Sequence, residues 1–176
     1  MELICCDDKE IFDRLSKLKD LGRNDRQQLK PMSDKFEEWG FNSKVTELQA
    51  AFGLAQLERV PTRLNRLKTM ASMYKEMLSK CKEVEFFDDD AQWHLDIRVP
   101  DPQKIIDRMK KSKIHCKRYM TPLHMQPVAS TLKHDGDLHM TKYLFEHGMY
   151  LPSTTTITDK QMHRIGERLV DAIRTV

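Results

Sequence analysis

Hydrophobic and polar positions along this chain follow two rhythms, one of helices and one of short strands. Ile11, Phe12, Leu15, Leu18 and Leu21 fall near one face of a helix spanning Lys9–Leu21, and Gly22 ends it. Leu48, Phe52 and Ala55 share one side of a helix that starts at Thr46, with small Ala50, Ala51 and Gly53 among them. Pro61 marks the next helix start. From Thr62 to Lys80, Leu64, Leu67, Ala71, Tyr74 and Leu78 form a seam of alternating threes and fours, which is ordinary helix packing. Met162, Ile165, Leu169 and Ala172 define the inner face of a final helix over Asp159–Val176.

The strand rhythm is shorter. Glu2–Cys6 reads as an apolar strand, and Val84–Phe87 as another bounded by Asp88, Asp89 and Asp90. Trp93, Leu95, Ile97 and Val99 alternate with His94, Asp96 and Arg98, as a half-buried strand does. Pro100 to Pro102 breaks it. A short helix follows around Ile105, Ile106 and Met109, then a strand over Ile114–Tyr119 and a helix over Leu138–His147. Strand, helix, strand and a later helix predict a small α/β layer with helices on one side of a sheet. Residues 23–39 and 120–137 have almost no periodicity and read as loops. The expected organisation is residues 1–60, a connecting helix over 61–82, and a small α/β domain over 83–176.

Composition narrows the function classes. A net charge of +3 on 176 residues gives no argument for nucleic acid or an anionic membrane, and no basic stripe with interleaved aromatics is present. No apolar run approaches the about 18 residues that span a bilayer, and no charged-then-apolar signal segment opens the chain. Cys5, Cys6, Cys81 and Cys116 show no metal or redox spacing, and four unpaired thiols suit a reducing cytoplasm. His134, His139 and His147 are too widely spaced, without a nearby Cys, for a tight zinc site. Asp88–Asp90 lacks the Gly and terminal Glu of a calcium loop.

The stretch from Gly40 through Phe41, Asn42, Ser43, Lys44, Val45, Thr46, Glu47, Leu48, Gln49, Ala50 and Ala51 to Gln56 and Leu57 holds the most chemistry. A polar turn runs directly into a helix, and Thr46 with Gln49 forms a capping-box pattern. A helix start with Lys44 beside it would suit a phosphate. By itself the pattern also describes an N-capped core helix.

That stretch resembles the helix-opening segment of the DegT/DnrJ/EryC1/StrS family of pyridoxal-phosphate-dependent sugar aminotransferases. Leu21-Gly22-Arg23 is similar to the family's preceding helix end. Tyr119-Met120-Thr121-Pro122-Leu123-His124-Met125-Gln126-Pro127 resembles its Tyr…Pro-Leu-His…Gln-Pro loop, and Leu151-Pro152-Ser153 its closing turn. Gln92-Trp93-His94-Leu95-Asp96-Ile97 leans toward the perosamine-synthase-like branch. The likeness covers nearly the whole chain and implies the C-terminal part of a fold-type-I pyridoxal-phosphate-dependent transferase, α/β with an α+β small domain.

The resemblance implies roles residue by residue. Asn42 would reach the cofactor phosphate of a neighbouring subunit, and Lys44 stands where the family usually has Arg. An ammonium offers a point charge where a guanidinium offers a bidentate fork. His124 would line the nucleotide-sugar pocket, and Arg23 and Arg26 would meet a sugar-nucleotide diphosphate by their charge. No metal and no catalytic residue is assigned. The family's cofactor lysine lies just before the strand that Met1–Asp8 resembles, so the chain alone is expected not to transaminate. Its partners would be a second copy, or a chain carrying the lysine-bearing half, together with nucleotide-sugar and amino-acid substrates. The rival expectation is a non-catalytic oligomerisation or regulatory module.

Overall fold

In a computed structural model, residues 4–23, 36–86, 94–129, 131 and 136–176 are described. They divide into two compact units, Met1–Val60 and Pro61–Val176.

The first unit holds α1 (Lys9–Lys19) and α2 (Glu47–Leu57). Asp8 caps α1 by accepting from the Glu10 and Ile11 amides at 2.8 and 3.0 Å. The capping box read from Thr46 and Gln49 forms as expected at the start of α2. Two expectations fail here. Residues 4–8 form no strand; a strand exists only through a paired neighbour, and an apolar run cannot supply one. The apolar side of α2 is not buried: Leu48 is 82% and Phe52 69% exposed. Helical spacing specifies a face, but not whether anything covers it.

The second unit holds α3 (Val60–Leu78), β1 (Glu85–Phe86), β2 (Asp96–Arg98), α4 (Pro102–Lys111), β3 (Lys117–Arg118), α5 (His139–His147), β4 (Gly148–Tyr150) and α6 (Asp159–Arg174). The sheet is antiparallel in the order β1-β2-β4-β3. The expected alternation on β2 is present, with Leu95, Ile97 and Val99 all buried. β4, which lies between β2 and β3, escapes the sequence reading because its three residues follow α5 directly, without a turn signal.

One core unites these elements. Met70, Tyr74 and Leu78 of α3, Ile105 and Met109 of α4, and Met162, Ile165 and Leu169 of α6 enclose Ile97 and Met149. Full burial of each such side chain contributes roughly 1.5–3 kcal/mol. A Cβ on Gly166 would come within 2.1 Å of the Met77 sulfur, so the glycine leaves room for the Met77 side chain between α3 and α6. The Tyr74 hydroxyl donates to the Pro152 carbonyl at 2.9 Å. Burial holds the Tyr74 pKa above its usual value, which keeps the phenol neutral. α4 starts with Pro102 behind the Asp101 cap and ends in Arg108, Lys110 and Lys111, both favourable to the helix dipole.

Candidate functional site

The chemistry of the first unit concentrates where α1 ends. Leu21 (φ 59°) and Gly22 (φ 83°) turn the chain back. A Cβ on Gly22 would sit 1.6 Å from the Glu38 carbonyl oxygen, and one on Gly40 would sit 2.3 Å from the Gly22 nitrogen. Only glycine fits where these two segments pass. The returning segment is then tied to α1. The Leu21 amide donates to Phe41 O (3.0 Å), Phe41 to Leu18 O (2.6 Å) and Ser43 to Lys19 O (2.8 Å). Asp20 and Asn42 face each other as an antiparallel bridge.

This register places Asp20 beneath the polar turn. Its side chain is 1% exposed and accepts from Lys44 Nζ at 2.5 Å and from Arg23 Nη2 at 3.0 Å. Asn42 bridges Asp20 through its backbone, so the two cations lie on the residue that faces it. The Nε of Arg23 is buried and makes no hydrogen bond among the described residues. Such an orphaned N–H is costly unless an acceptor arrives. A half-solvated ammonium retains donors beyond the one given to Asp20. The donor set therefore suits an oxyanion such as a phosphate.

Of the five residues singled out from the sequence, Arg23 and Lys44 meet at Asp20, and Asn42 faces Asp20 through its backbone. Arg26 lies outside the described residues, as do His134 and Asp88–Asp90. His124 lies in the second unit, half-buried in a 3₁₀ turn over Leu123–Met125. That turn is closed by Met125 N to Pro122 O (2.9 Å), Gln126 N to Leu123 O (3.0 Å) and Gln126 Nε2 to Thr121 O (3.1 Å). His147 places its Nδ1 3.2 Å from the Val99 carbonyl. Among the described residues no group of three His, Cys, Asp or Glu is arranged to hold a metal, and no helix is long and apolar enough to cross a membrane.

Sequence reasoning missed Asp20, the residue that organises the site. A signal was available: an acid at a helix C-terminus opposes the helix dipole, so it implies a compensating partner. Two cations supply it.

Two cations paired to a buried acid, followed in sequence by a capped helix, make a donor cluster of the kind that suits an anion. The matching family is the DegT/DnrJ/EryC1/StrS aminotransferase family, whose model covers residues 3–170, and the chain belongs to it. It is 27% identical over 150 residues to EpsN of Bacillus subtilis, named as a pyridoxal phosphate-dependent aminotransferase; the match covers 79% of this chain and 39% of that protein. It is 26% identical over 137 residues to the GDP-perosamine synthase of Caulobacter vibrioides, covering 72% and 37%. Among solved structures, TlmJ, an aminotransferase from Streptoalloteichus hindustanus, superposes with a TM-score of 0.83 at 19% identity, covering 97% of this chain and 47% of that one. PseC of Helicobacter pylori, an aminotransferase of pseudoaminic acid biosynthesis, gives 0.81 at 16%, covering 96% and 47%. These likenesses show the fold expected from the sequence, the α/β fold of aminotransferases that use pyridoxal phosphate. The chain spans about two fifths of the length of the curated relatives it matches.

Proposed function

We propose that this chain forms the C-terminal portion of a pyridoxal-phosphate-dependent nucleotide-sugar aminotransferase. The complete enzyme moves an amino group from an amino acid such as glutamate to a keto-sugar. Residues 1–60 would belong to its large domain and residues 83–176 to its small domain, with residues 61–82 as the connecting helix. The observation that carries this reading is the pairing of Arg23 and Lys44 with buried Asp20, which the Asn42 backbone bridges, inside the segment that the family match includes.

Pyridoxal phosphate, when bound, supplies the electron sink for amino transfer. This chain's part is to hold and orient. Asn42 offers an amide to the phosphate, and Lys44 offers charge. Asp20 anchors the Lys44 ammonium, so the charge is set in place before the ligand arrives. By the family resemblance, His124 would line the sugar pocket, and Arg23 and Arg26 would meet a sugar-nucleotide diphosphate by their charge. No lysine of this chain is assigned the cofactor-bearing role, so on this proposal amino transfer uses a lysine-bearing portion supplied in trans.

The test is a titration of the purified chain with pyridoxal phosphate, followed by borohydride reduction and intact mass. No stoichiometric adduct is expected on the chain alone. Mixing it with the lysine-bearing portion of a relative such as EpsN should restore cofactor retention, and Asn42→Ala should weaken it. A stoichiometric adduct at one lysine of this chain would overturn the assignment.

A second reading has its own observation. The first unit exposes Leu48, Phe52, Leu54 and Leu57 along α2, together with Trp39 and Phe41. Exposed apolar side chains in this number are surface that an association could cover. A module that self-associates, or docks on a complete aminotransferase, would use it without cofactor. A stable dimer of the chain alone, indifferent to pyridoxal phosphate, would favour that reading.

A further inference from the structure

The loop that carries His124 is rooted on one residue, Tyr119, directly after β3. The Tyr119 hydroxyl donates to Asp96 on β2, two strands away across β4. Its ring lies 4.7 Å from that of Tyr150 on β4, with the planes 30° apart. Its amide donates to the Gly148 carbonyl at 3.2 Å. A Cβ on Gly148 would approach within 2.5 Å of the Tyr119 ring, so glycine makes room for the ring to lie there. Tyr150 is in register with both Asp96 and Lys117, and it meets the His94 ring at 4.9 Å.

This contact sits on the sheet face opposite the core. Ile97 and Met149 pair on the inner face, while Asp96 and Tyr150 pair on the outer one. Burial, then the hydrogen bond and charge of Asp96, hold the Tyr119 pKa well above its usual value; Tyr150 adds to the rise and Arg98 opposes it. The phenol is therefore a donor throughout the physiological range. Beyond Tyr119 the backbone enters the turn at Thr121 and Pro122, and the hydrogen bonds of Met125 N, Gln126 N and Gln126 Nε2 to Pro122, Leu123 and Thr121 close it around His124. Met120 and Leu123 are largely exposed, so apolar packing does little to hold it.

We infer that Asp96 is a positioning residue: through the Tyr119 hydroxyl it fixes the root of the 120–126 turn, and with it the presentation of His124. What His124 then contacts rests on the function proposed above; the positioning does not. Hydrogen bonding to an ionised acceptor is among the stronger neutral-to-charged contacts, roughly twice a neutral pair. One such bond at the root of a short closed turn decides its direction more than exposed apolar side chains can.

The test uses the full chain and amide exchange by NMR. Tyr119→Phe keeps the ring against Tyr150 and removes only the hydroxyl. It should speed exchange of the Met125 and Gln126 amides on the order of tenfold, and shift the His124 ring resonances. The amides of Ile97 and Met149 should keep their protection. Asp96→Ala should reproduce the effect, and Asp96→Asn, which still offers an oxygen, should largely restore the wild-type turn. Unchanged turn exchange and His124 resonances in Tyr119→Phe would overturn the inference. So would equal acceleration across the sheet, which would signal general loosening. Failure of the aminotransferase reading would appear separately, as no cofactor-dependent activity in the wild-type mixture and no effect of His124→Ala on sugar binding.

Discussion

The two units of this chain are built on opposite principles. In Pro61–Val176, helices α3, α4 and α6 close over one face of a sheet, and every buried apolar side chain among the described residues lies there. In Met1–Val60 the buried side chains are polar, Ser16 and Asp20, while Trp39, Leu48, Phe41 and Phe52 are more than two-thirds exposed. The second unit is held by apolar burial. The first is held by backbone hydrogen bonds around two glycines and by ion pairs to Asp20 and Glu37. A unit of the second kind carries its stability within itself. A unit of the first kind presents its apolar residues outward, for another surface to cover.

Core truncation should separate the units most sharply. Leu169→Ala removes a fully buried side chain and should cost about 2–5 kcal/mol of unfolding free energy. Leu48→Ala should stay within about 0.5 kcal/mol, because that side chain is already in water. Chemical denaturation of both variants checks this. An equal loss for Leu48→Ala would mean that α2 is covered in solution, and the contrast between the units would collapse.

Asp20 comes next. Asp20→Ala leaves Arg23 and Lys44 without their shared acid at a buried position. Removing one member of a buried ion pair costs about 3–5 kcal/mol; the half-solvated cations here bring the expected loss below that range. The effect should be confined to the first unit and read as faster exchange of the Leu21, Phe41 and Ser43 amides. A change in the sheet of the second unit would show that the two do not unfold independently.

What could be read from the residues follows the same division. The inner face of α6, the alternation on β2 and the Tyr74–Leu78 end of the α3 seam were legible because a covered face leaves a periodic trace. At the other end of that seam Leu64 is 46% exposed, and fully buried Met70 was missed. Met162, Ile165, Leu169 and Ala172 are buried as their spacing implies. The capping box at Thr46 was legible because it is local, and the matching one at Thr158 went unread. Asp20 was not, since its partners Arg23 and Lys44 become neighbours only once Gly22 and Gly40 let the chain fold back. The strand expected at Glu2–Cys6 and the covered face expected of α2 were wrong in residues 4–8 and 47–57 for one reason: both depend on a neighbour that periodicity cannot supply. The polar turn at Asn42–Lys44 was recognisable as chemistry, but its backing acid was visible only in the fold.

A smaller effect should follow at Gly148. Gly148→Ala forces a methyl against the Tyr119 ring, a contact that packing must relieve by moving the ring or the strand. Overpacking of this kind costs about 1–3 kcal/mol. Because Gly148 pairs with Arg98 in the sheet, the loss should appear in the main unfolding transition. A neutral result would mean that the Tyr119 ring moves freely, and that the second unit is less tightly specified on its outer face than on its core side.

The finest comparison uses two copies of the same device. Thr46 with Gln49 and Thr158 with Gln161 form capping boxes of nearly identical geometry. In each, the amide three residues on donates to the threonine hydroxyl at 3.3 Å, and the threonine amide donates to the glutamine oxygen, at 3.0 and 2.9 Å respectively. Replacing either threonine by alanine removes the same local bonds, worth about 1 kcal/mol. The consequences should differ. α6 carries six buried residues, so Thr158→Ala should lower the stability of the whole second unit by about that amount. α2 buries none, so Thr46→Ala should fray the helix locally, speeding exchange at Gln49 and Ala50 while leaving the main denaturation midpoint in place. Because the local chemistry is matched, any difference in the response reports only on what each helix is packed against.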